Sequence, residues 1–555
     1  MIEMFWVGFK VYFWAAFLFL VPGCLFLTLL RHIPGVREQR IVNGGYALVG
    51  SFLLSILFNG CVLTIFSLAA AGLLAATKFL LVFDLVALGL IFQQARRVLH
   101  SNRYTFNLSK REIALVTFLV AEFLVLAYQG GLLDMLADGW WHLAYANQMV
   151  IENSILISQH PVVGGPVSSV IYPPLWHMQL ALISSLGDLE LPVIWHFIAA
   201  FNVTMLSVAL YLFSKEISGD KVIATIAVIL HAFVIGGLIS YFRVAPWPGN
   251  VSYIFLYFAF YLTFRLTRNS SSANRIGNVE MPGHERMGLL LMLGAALLAM
   301  AGLHGIEVVL YTLAITIYWL VINVLPGKAE FANEFADESK IIGRLSLTIT
   351  FAGVVFVLVF LREHFTFLFT SPRAYPPYIN FIVPIGTLLY FGSYGRLRKY
   401  FSNLNYEWEF KQFYIAGLIL IVALNIDFGH LRDLFFPSIT GRHVPRDILD
   451  RFGLWVFLPF WEHQLRGALL FSGLVSLCLG IGLIRNPVKR VNLFLFSSSS
   501  LVFFVIGTPY FFSLTSFILP LSSVYRVHLL LFAPLIFAVY FVRIWQESCR
   551  KRVKC

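Results

Sequence analysis

The sequence is poor in charged residues, and this scarcity bounds the class of protein. Only 12% of its 555 residues are Asp, Glu, Lys or Arg, whereas 59% are hydrophobic and the mean hydropathy is +0.81. Soluble domains carry about 25% charged residues. Apolar runs of span length recur from end to end, which is typical of a polytopic helical membrane protein. The polar intervals are too short for a separate soluble domain, so the sequence predicts one integral membrane domain.

Cysteine is scarce as well, and common nucleotide-binding motifs are missing. The five cysteines have no zinc-like spacing and predict neither a metal site nor a disulfide framework. The absence of a G-x-x-x-x-G-K-[ST] loop excludes a P-loop ATPase, and no D-x-D sugar-nucleotide motif occurs either. The net charge of +12 is explained by basic cytoplasmic loops, so we expect no nucleic-acid partner.

Hydropathy predicts an all-α transmembrane bundle of about 15 spans. The first apolar run is too long for a cleaved signal peptide, and a basic segment follows it, so we interpret it as a retained span. The predicted spans are 5–30, 45–68, 72–94, 113–130, 192–214, 221–241, 249–265, 288–304, 306–325, 343–361, 379–395, 413–426, 467–484, 491–508 and 527–545.

The basic loops predict the orientation of the chain. The second and third spans are flanked by "RHIPGVREQR" (31–40) and "ARRVLHSNRYTFNLSKRE" (95–112), which places both loops in the cytoplasm and the N-terminus outside. The segment 172–186 is either a further span or a helix lying at the outer interface. The second choice leaves more Lys and Arg on the cytoplasmic side, so we adopt it.

The predicted outer loop, 131–191, contains the motif "DGWWHLAYANQMV". We place it on a helix at 100° per residue. One side then holds Asp138, His142, Tyr145 and Glu152, and the other holds Trp140, Leu143, Ala144, Val150 and Ile151, with Asn147 among them. The pattern predicts an amphipathic helix on the membrane with its tryptophans at headgroup depth. Asp138, at the start, is either a functional carboxylate or only the helix N-cap.

This motif is followed in the same loop by "YPPLWHMQLAL", and together they resemble the first outer loop of the GT-C glycosyltransferases. That family includes protein O-mannosyltransferases, lipid A aminoarabinose transferases and arabinosyltransferases. The likeness covers residues 112–215. It implies an enzyme that moves a sugar from a polyprenyl-phosphate-linked donor lipid to a glycan, lipid or protein acceptor. It also implies that Asp138 is the catalytic or acceptor-orienting carboxylate, with Asp138 as the candidate base, and that Tyr172 belongs to the substrate site.

The sequence departs from the family pattern in two ways. Three predicted spans precede the loop instead of one, so we interpret 1–110 as additional N-terminal helices and 111–555 as the catalytic domain. The family often has two adjacent acids, whereas Gly139 follows Asp138 here. A divalent metal is therefore possible but not required by the pattern.

Arginines at the predicted outer span ends are candidates for binding the phosphate of the donor. Glycosyl transfer needs a base for the acceptor hydroxyl and a cationic group for the leaving phosphate. Arginine can bind phosphate through two parallel hydrogen bonds. We favour Arg526 with His528 nearby, followed by Arg243 and Arg373. Alternatively, these arginines anchor the span ends at the headgroups.

His304 and Glu307 lie three residues apart in a turn between two apolar spans. Ionisable groups at such positions are candidates for substrate binding. Alternatively, the two side chains form a hydrogen-bonded pair that holds the turn. Together with Asp138 and His142 they could also bind a divalent metal ion.

Two other functions stay open from the sequence. One is a transporter or flippase for lipid-linked glycans. The other is an O-antigen polymerase or ligase, because the predicted outer loop 427–466 is rich in arginine. In each case we expect a multi-pass integral membrane protein whose site faces away from the cytoplasm. The membrane would be the plasma or inner membrane of a prokaryote, or the endoplasmic reticulum of a eukaryote.

Overall fold

The regular structure of the protein is helical. A computed structural model describes residues 2–30, 44–100, 110–129, 139–159, 161, 165, 173–233, 245–272, 283–324, 338–349, 490–507 and 530–554. No strand occurs within these ranges. The helices are α1 (Ile2–Leu30), α2 (Gly44–Leu68), α3 (Gly72–His100), α4 (Lys110–Gln129), α5 (Gly139–Ile151), α6 (Leu175–Gly187), α7 (Leu191–Ser218), α8 (Lys221–Phe233), α9 (Pro248–Ser272), α10 (Gly283–Leu303), α11 (Ile306–Val324), α12 (338–349), α13 (Arg490–Gly507) and α14 (Ala533–Lys554).

Five of the described helices are long and apolar enough to cross a membrane. They contain the segments Phe5–Leu30, Gly44–Leu68, Gly72–Arg96, Leu191–Ser218 and Arg286–Leu303. Each coincides with a predicted span. The predicted spans 379–395, 413–426 and 467–484 lie outside the described residues. An all-helical membrane protein is therefore supported, and the count of about 15 spans stays a prediction.

The described helices belong to two units. The first unit comprises 1–269, 276–309 and 533–555, and the second comprises 270–275 and 310–532. α1–α3 pack in the same unit as α4–α8. The predicted division at residue 110 therefore does not separate two compact bodies, and it stays a prediction about the chain's organisation.

α1 and α2 pack together at the turn of α1 that contains a proline. Pro22 lies inside the helix and has no N–H, so the carbonyl of Leu18 loses its helical partner. Asn59 on α2 donates its side-chain N–H to that carbonyl at 3.1 Å, and the backbone N–H of Gly23 donates to the Ser55 hydroxyl at 2.8 Å. A Cβ at position 23 would collide with the α2 backbone, so glycine permits the close approach.

Contacts of α4, α7 and α8 define one end of the first unit. Leu126, near the end of α4, packs with Ala200 in the first half of α7, so these two helices run antiparallel. Glu112, in the first turn of α4, accepts a hydrogen bond at 2.7 Å from Lys221, the first residue of α8. The starts of α4 and α8 therefore lie together. We call this region the charged end.

Two arginine side chains of α9 also lie at the charged end. Glu216, near the end of α7, lies 3.6 Å from a guanidinium nitrogen of Arg265 and 3.5 Å from one of Arg268. The Glu216 side chain is buried, whereas both arginines are more than one third exposed. Because both arginines are screened by solvent, each pair contributes little stability, about 0–1 kcal/mol.

α5 lies at the opposite end of the first unit. Tyr12 contacts Phe197, which brings the first halves of α1 and α7 together, and α2 runs antiparallel to α1. The turn between α2 and α3 is therefore away from the charged end. The backbone N–H of Leu73 in that turn donates to the carbonyl of Asn153, just after α5, at 2.7 Å.

α6 is enclosed by other helices, so its faces are not divided between water and lipid, and its position at the outer interface stays a prediction. Residues 175–183 are all buried, and α6 packs against α1, α2, α3, α5, α7 and α10. A helix of 13 residues is about 20 Å long, against about 30 Å for the hydrocarbon core, so α6 does not cross a bilayer. Its buried polar side chains His177 and Gln179 contact α5 and α2.

The second unit contains a buried ion pair. The guanidinium of Arg490 on α13 donates two hydrogen bonds, at 3.0 and 2.7 Å, to one carboxylate oxygen of Glu338 on α12. The Tyr318 hydroxyl of α11 donates to the other oxygen at 3.0 Å. Because Glu338 is 1% exposed, these bonds are needed to offset the cost of burying its charge.

Candidate functional site

α5 follows Asp138 directly, and its buried face is polar. Asp138 itself lies outside the described residues. His142 and Tyr145 are buried, whereas Trp140 is 56% exposed, as the amphipathic pattern predicts. The pattern predicts Leu143 on the lipid side of α5, but Leu143 is buried, so this prediction is wrong. α5 contacts both α6 and α7, so the face that these helices enclose is wider than the row of polar side chains His142, Tyr145 and Glu152. We call this row, which Asp138 precedes, the polar stripe.

Glu152, also on the polar stripe, binds the segment that follows α5. Its carboxylate accepts hydrogen bonds from the Gln148 side chain at 2.6 Å and from the backbone N–H groups of Ser158 and Gln159 at 2.6 and 3.1 Å. Burial opposes ionisation of Glu152, but these hydrogen bonds outweigh it and lower the pKa of the carboxyl. The role of Glu152 is therefore structural.

The centre of the candidate site is a contact between two buried imidazoles. Nδ1 of His142 lies 2.9 Å from Nε2 of His177 on α6, and the two residues are 4% and 1% exposed. The Trp195 indole stacks on the His142 ring, with centroids 6.1 Å apart, and the Tyr145 ring lies 5.4 Å from that of His177. Burial lowers the pKa of His177 to about 4, while the carbonyl of Pro173 opposes this shift. His177 is therefore neutral at physiological pH.

The start of α6 also holds the segment that precedes α9. The Trp176 indole N–H donates to the carbonyl of Pro246 at 2.7 Å, and Asn250 donates to the carbonyl of Ala245 at 2.6 Å. Arg243 comes two residues before Ala245 and lies outside the described residues. The described part of this loop therefore contacts Trp176, the residue before His177 in α6.

The alternative in which His304 and Glu307 form a hydrogen-bonded pair agrees with the structure, and the pair follows the end of α10. Nδ1 of His304 lies 3.0 and 3.1 Å from the two carboxylate oxygens of Glu307, which is fully buried. Gly305 between them has φ +60°, a conformation that favours glycine. A Cβ at Gly302 would lie 3.0 Å from the Leu175 side chain, so the end of α10 touches the first residue of α6.

An amide pair that the sequence analysis missed anchors α6 to α2. Asn59 donates to the Gln179 carbonyl oxygen at 3.2 Å, and Gln179 donates to the backbone carbonyl of Ile56 at 3.3 Å. Both side chains are fully buried. Isolated amides in otherwise apolar helices commonly join helices in membranes, and that signal was available in the sequence.

Asp84 is a second residue that the sequence patterns did not single out. It differs from every other buried carboxylate that the structure describes. It is fully buried on α3, and neither oxygen has a hydrogen-bond partner among the described residues. The other buried carboxylates are paired: Glu122 with Ser207, Glu216 with Arg265 and Arg268, Glu307 with His304, and Glu338 with Arg490 and Tyr318. Its position inside a candidate span was the available signal.

The predicted site residues that the structure describes are His142, His304 and Glu307. His142 contacts α6, whereas His304 and Glu307 follow the end of α10, where Gly302 lies against the first residue of α6. The predicted site residues outside the described ranges are Asp138, Tyr172, Arg243, Arg373, Arg526 and His528. Within the described ranges, no three potential metal-ligating side chains come together. His177 joins the candidate site through a contact across 35 residues that helix periodicity cannot reveal.

Comparisons of the chain with protein-family models, with curated proteins and with solved structures gave no match.

Proposed function

We propose that this protein is a membrane glycosyltransferase of the GT-C type. It would transfer a sugar from a polyprenyl-phosphate-linked donor to a glycan, lipid or protein acceptor on the extracytoplasmic side, with Asp138 as general base. The observation that carries the proposal is the buried contact between His142 and His177, whose first member lies four residues after Asp138. Polar groups enclosed at one end of an apolar bundle are typical of a binding site.

The sidedness of the candidate site supports the proposal. The basic loop 95–112 ends at Glu112, which belongs to the charged end. If that loop is cytoplasmic, α5 faces the outside. The ion pair of Glu112 with Lys221 also favours the path in which 172–186 does not cross the membrane, because a further span would put these residues on opposite sides.

The chemistry assigns complementary tasks to the site residues. An inverting displacement needs one carboxylate to take the proton of the acceptor hydroxyl, which is the task of Asp138. Arg526, Arg243 and Arg373 are the proposed ligands of the leaving phosphate, with His528 beside Arg526. Tyr172, His304 and Glu307 complete the proposed substrate site. The donor lipid would enter from the bilayer, and a divalent metal would be an optional addition.

The test is a mass comparison of envelope glycans, glycolipids and glycoproteins from a wild-type strain, a deletion strain and a strain with Asp138→Asn. Glu152→Gln is the matched control, because it neutralises a carboxylate on the same polar stripe that has a structural role. All variants are brought to equal protein levels. We expect one sugar to be missing in the deletion and Asp138→Asn strains and present in the control. If the glycan of the Asp138→Asn strain keeps every sugar, Asp138 is not a catalytic residue.

A transporter or flippase of lipid-linked glycans is the second candidate, and Asp84 is the observation that favours it. Unpaired carboxyl groups deep in a bundle are characteristic of ion and substrate pathways. In that case Asp84→Asn, not Asp138→Asn, would reproduce the deletion phenotype. The lipid-linked glycan would then accumulate in the cytoplasmic leaflet.

A further inference from the structure

Asp84 lies on the side of α3 that packs against other helices. Leu80, Asp84 and Ala87 are all buried, and their spacing places them on one side of the helix. The opposite side exposes apolar side chains, among them Val82 and Val86, as a lipid-facing surface does. α3 packs mainly against α1 and α2. The carboxyl group of Asp84 is therefore turned away from the exposed side of α3.

Asp84 is also far from both ends of its helix. It is the central residue of the candidate span Gly72–Arg96, about 18 Å from either end at 1.5 Å per residue. The hydrocarbon core of a bilayer is about 30 Å thick, so this position is close to its middle. The ring of the preceding residue, Phe83, lies 6.2 Å from that of Phe26 on α1 and 4.5 Å from that of Phe58 on α2, measured between centroids.

No group that the structure describes compensates a charge on Asp84. The residue is 0% exposed, and neither oxygen has a hydrogen-bond partner among the described residues. The titratable side chains of α3 and of the helices packed against it form no ion pair or hydrogen bond with Asp84; they are Glu3, Lys10, Tyr12 and Cys24 of α1, Tyr46 and Cys61 of α2, His177 of α6, and the exposed Lys78 and Arg96 of α3. An isolated carboxylate in such surroundings is so costly that the group takes up a proton instead.

A proton suits these surroundings better than a metal ion does. Metal ions held by oxygen atoms need several such ligands. Within the described ranges, no three potential metal-ligating side chains come together. A proton needs only one oxygen of Asp84, and the carboxylic acid that results is uncharged.

We propose that Asp84 is a proton-binding site at the middle of α3, and that the packing of α3 against α1 and α2 depends on the bound proton. Loss of the proton leaves a carboxylate that requires water, so α3 must then separate from its neighbours or admit water at this level. The site does not depend on the proposed transfer of a sugar. For the transporter alternative, it identifies the coupled ion as a proton.

The proton is detected by infrared spectroscopy of the full-length protein in lipid nanodiscs. A protonated carboxyl group has a C=O stretching band that an ionised carboxylate lacks. We expect one such band at neutral pH in the wild type and in Glu152→Gln, whose carboxylate accepts hydrogen bonds from backbone N–H groups. The band should be missing in both Asp84→Asn and Asp84→Leu.

The same spectra distinguish a proton from a metal ion. They are recorded in sodium chloride and in choline chloride, and we expect the band in both. Its absence from the wild type in both salts overturns the inference, because Asp84 is then ionised. Its loss in sodium chloride alone also overturns the inference, because the ligand is then a metal ion.

The dependence of packing on the proton is measured by hydrogen–deuterium exchange of α3 as the pH is raised until the band disappears. Wild type and Asp84→Asn are compared at each pH, which cancels the chemical effect of pH on exchange. We expect equal exchange while the band is present and several-fold faster exchange in the wild type once it is gone, since the amide of the variant stays neutral. Peptides of α9, which does not pack closely on α3, should exchange equally throughout.

Equal exchange of α3 after the band has disappeared overturns the dependence of packing on the proton. Unfolding of both proteins at the same pH, with the band still present, does the same. The proposed glycosyltransferase function is tested separately, because the glycan comparison depends on Asp138 and not on Asp84.

Discussion

The turn of α1 that contains Pro22 provides a quantitative test of how the first unit is held together. Pro22 deprives the Leu18 carbonyl of its helical partner, and Asn59 donates to it at 3.1 Å. Asn59→Ala removes this bond and the bond to Gln179. Hydrogen bonds between membrane helices average about 0.6 kcal/mol and reach about 1.7 kcal/mol. With the small cavity that is left, we expect a loss of about 2 kcal/mol in the free energy of unfolding.

The contribution of the bond from Asn59 to the Leu18 carbonyl is isolated by a double-mutant cycle with Pro22→Ala. Alanine restores an N–H at position 22, so the Leu18 carbonyl keeps a partner when Asn59 is removed. The cost of Asn59→Ala should therefore be about 1 kcal/mol smaller in the Pro22→Ala background. The four proteins are unfolded with SDS in mixed micelles, and loss of helicity is followed. Thr64→Val is the control, because the Thr64 hydroxyl bonds within its own helix, to the carbonyl of Gly60.

A coupling energy below about 0.4 kcal/mol would refute this reasoning, because independent sites already add within that error. Equal coupling of Pro22→Ala with Thr64→Val would do the same, since the Thr64 hydroxyl bonds to the carbonyl of Gly60 and not to that of Leu18. Asn59 would then stabilise the unit only through Gln179.

Three further predictions concern other contacts. Because the pKa of His177 is lowered, the unfolded state takes up its proton first, so stability should fall by about 3 kcal/mol between pH 6.5 and pH 4. Denaturation at several pH values should show a smaller loss in His177→Gln, and identical profiles would contradict this origin. Gly23→Val should cost about 1–3 kcal/mol by pushing α1 from α2, whereas Gly44→Val, with open space around it, should cost less in the same assay. Glu338→Gln should cost about 3–5 kcal/mol because Arg490, whose side chain is 17% exposed, stays charged without its partner, and unfolding of Glu338→Leu/Arg490→Leu should show a smaller loss.

The helices and the contact between His304 and Glu307 could be predicted, because both depend on residues that lie close together along the chain. Helix periodicity placed His142 and Tyr145 on one face of α5, and it placed His304 beside Glu307. Hydropathy predicted the five apolar helices, since burial of about 20 apolar residues is required wherever a helix crosses lipid.

α6 shows what local patterns cannot decide. Its mixture of polar and apolar side chains predicted a surface helix, because an amphipathic pattern gives the polarity of a face but not what covers that face. Asn59 lies 120 residues before Gln179, and His142 lies 35 residues before His177. Only the packing of α1, α2, α5 and α7 around α6 brings these polar groups together.

The sequence by itself determined that the chain is a helical membrane protein and which residues can ionise within it. Both properties follow from composition and from the 3.6-residue period. The tertiary structure decided which ionisable groups are paired, and Asp84 illustrates the difference. Its position in an apolar span is visible in the sequence, but its lack of a described partner depends on how α3 packs. The energy of a buried polar group is set by what it contacts, and those contacts come from distant parts of the chain.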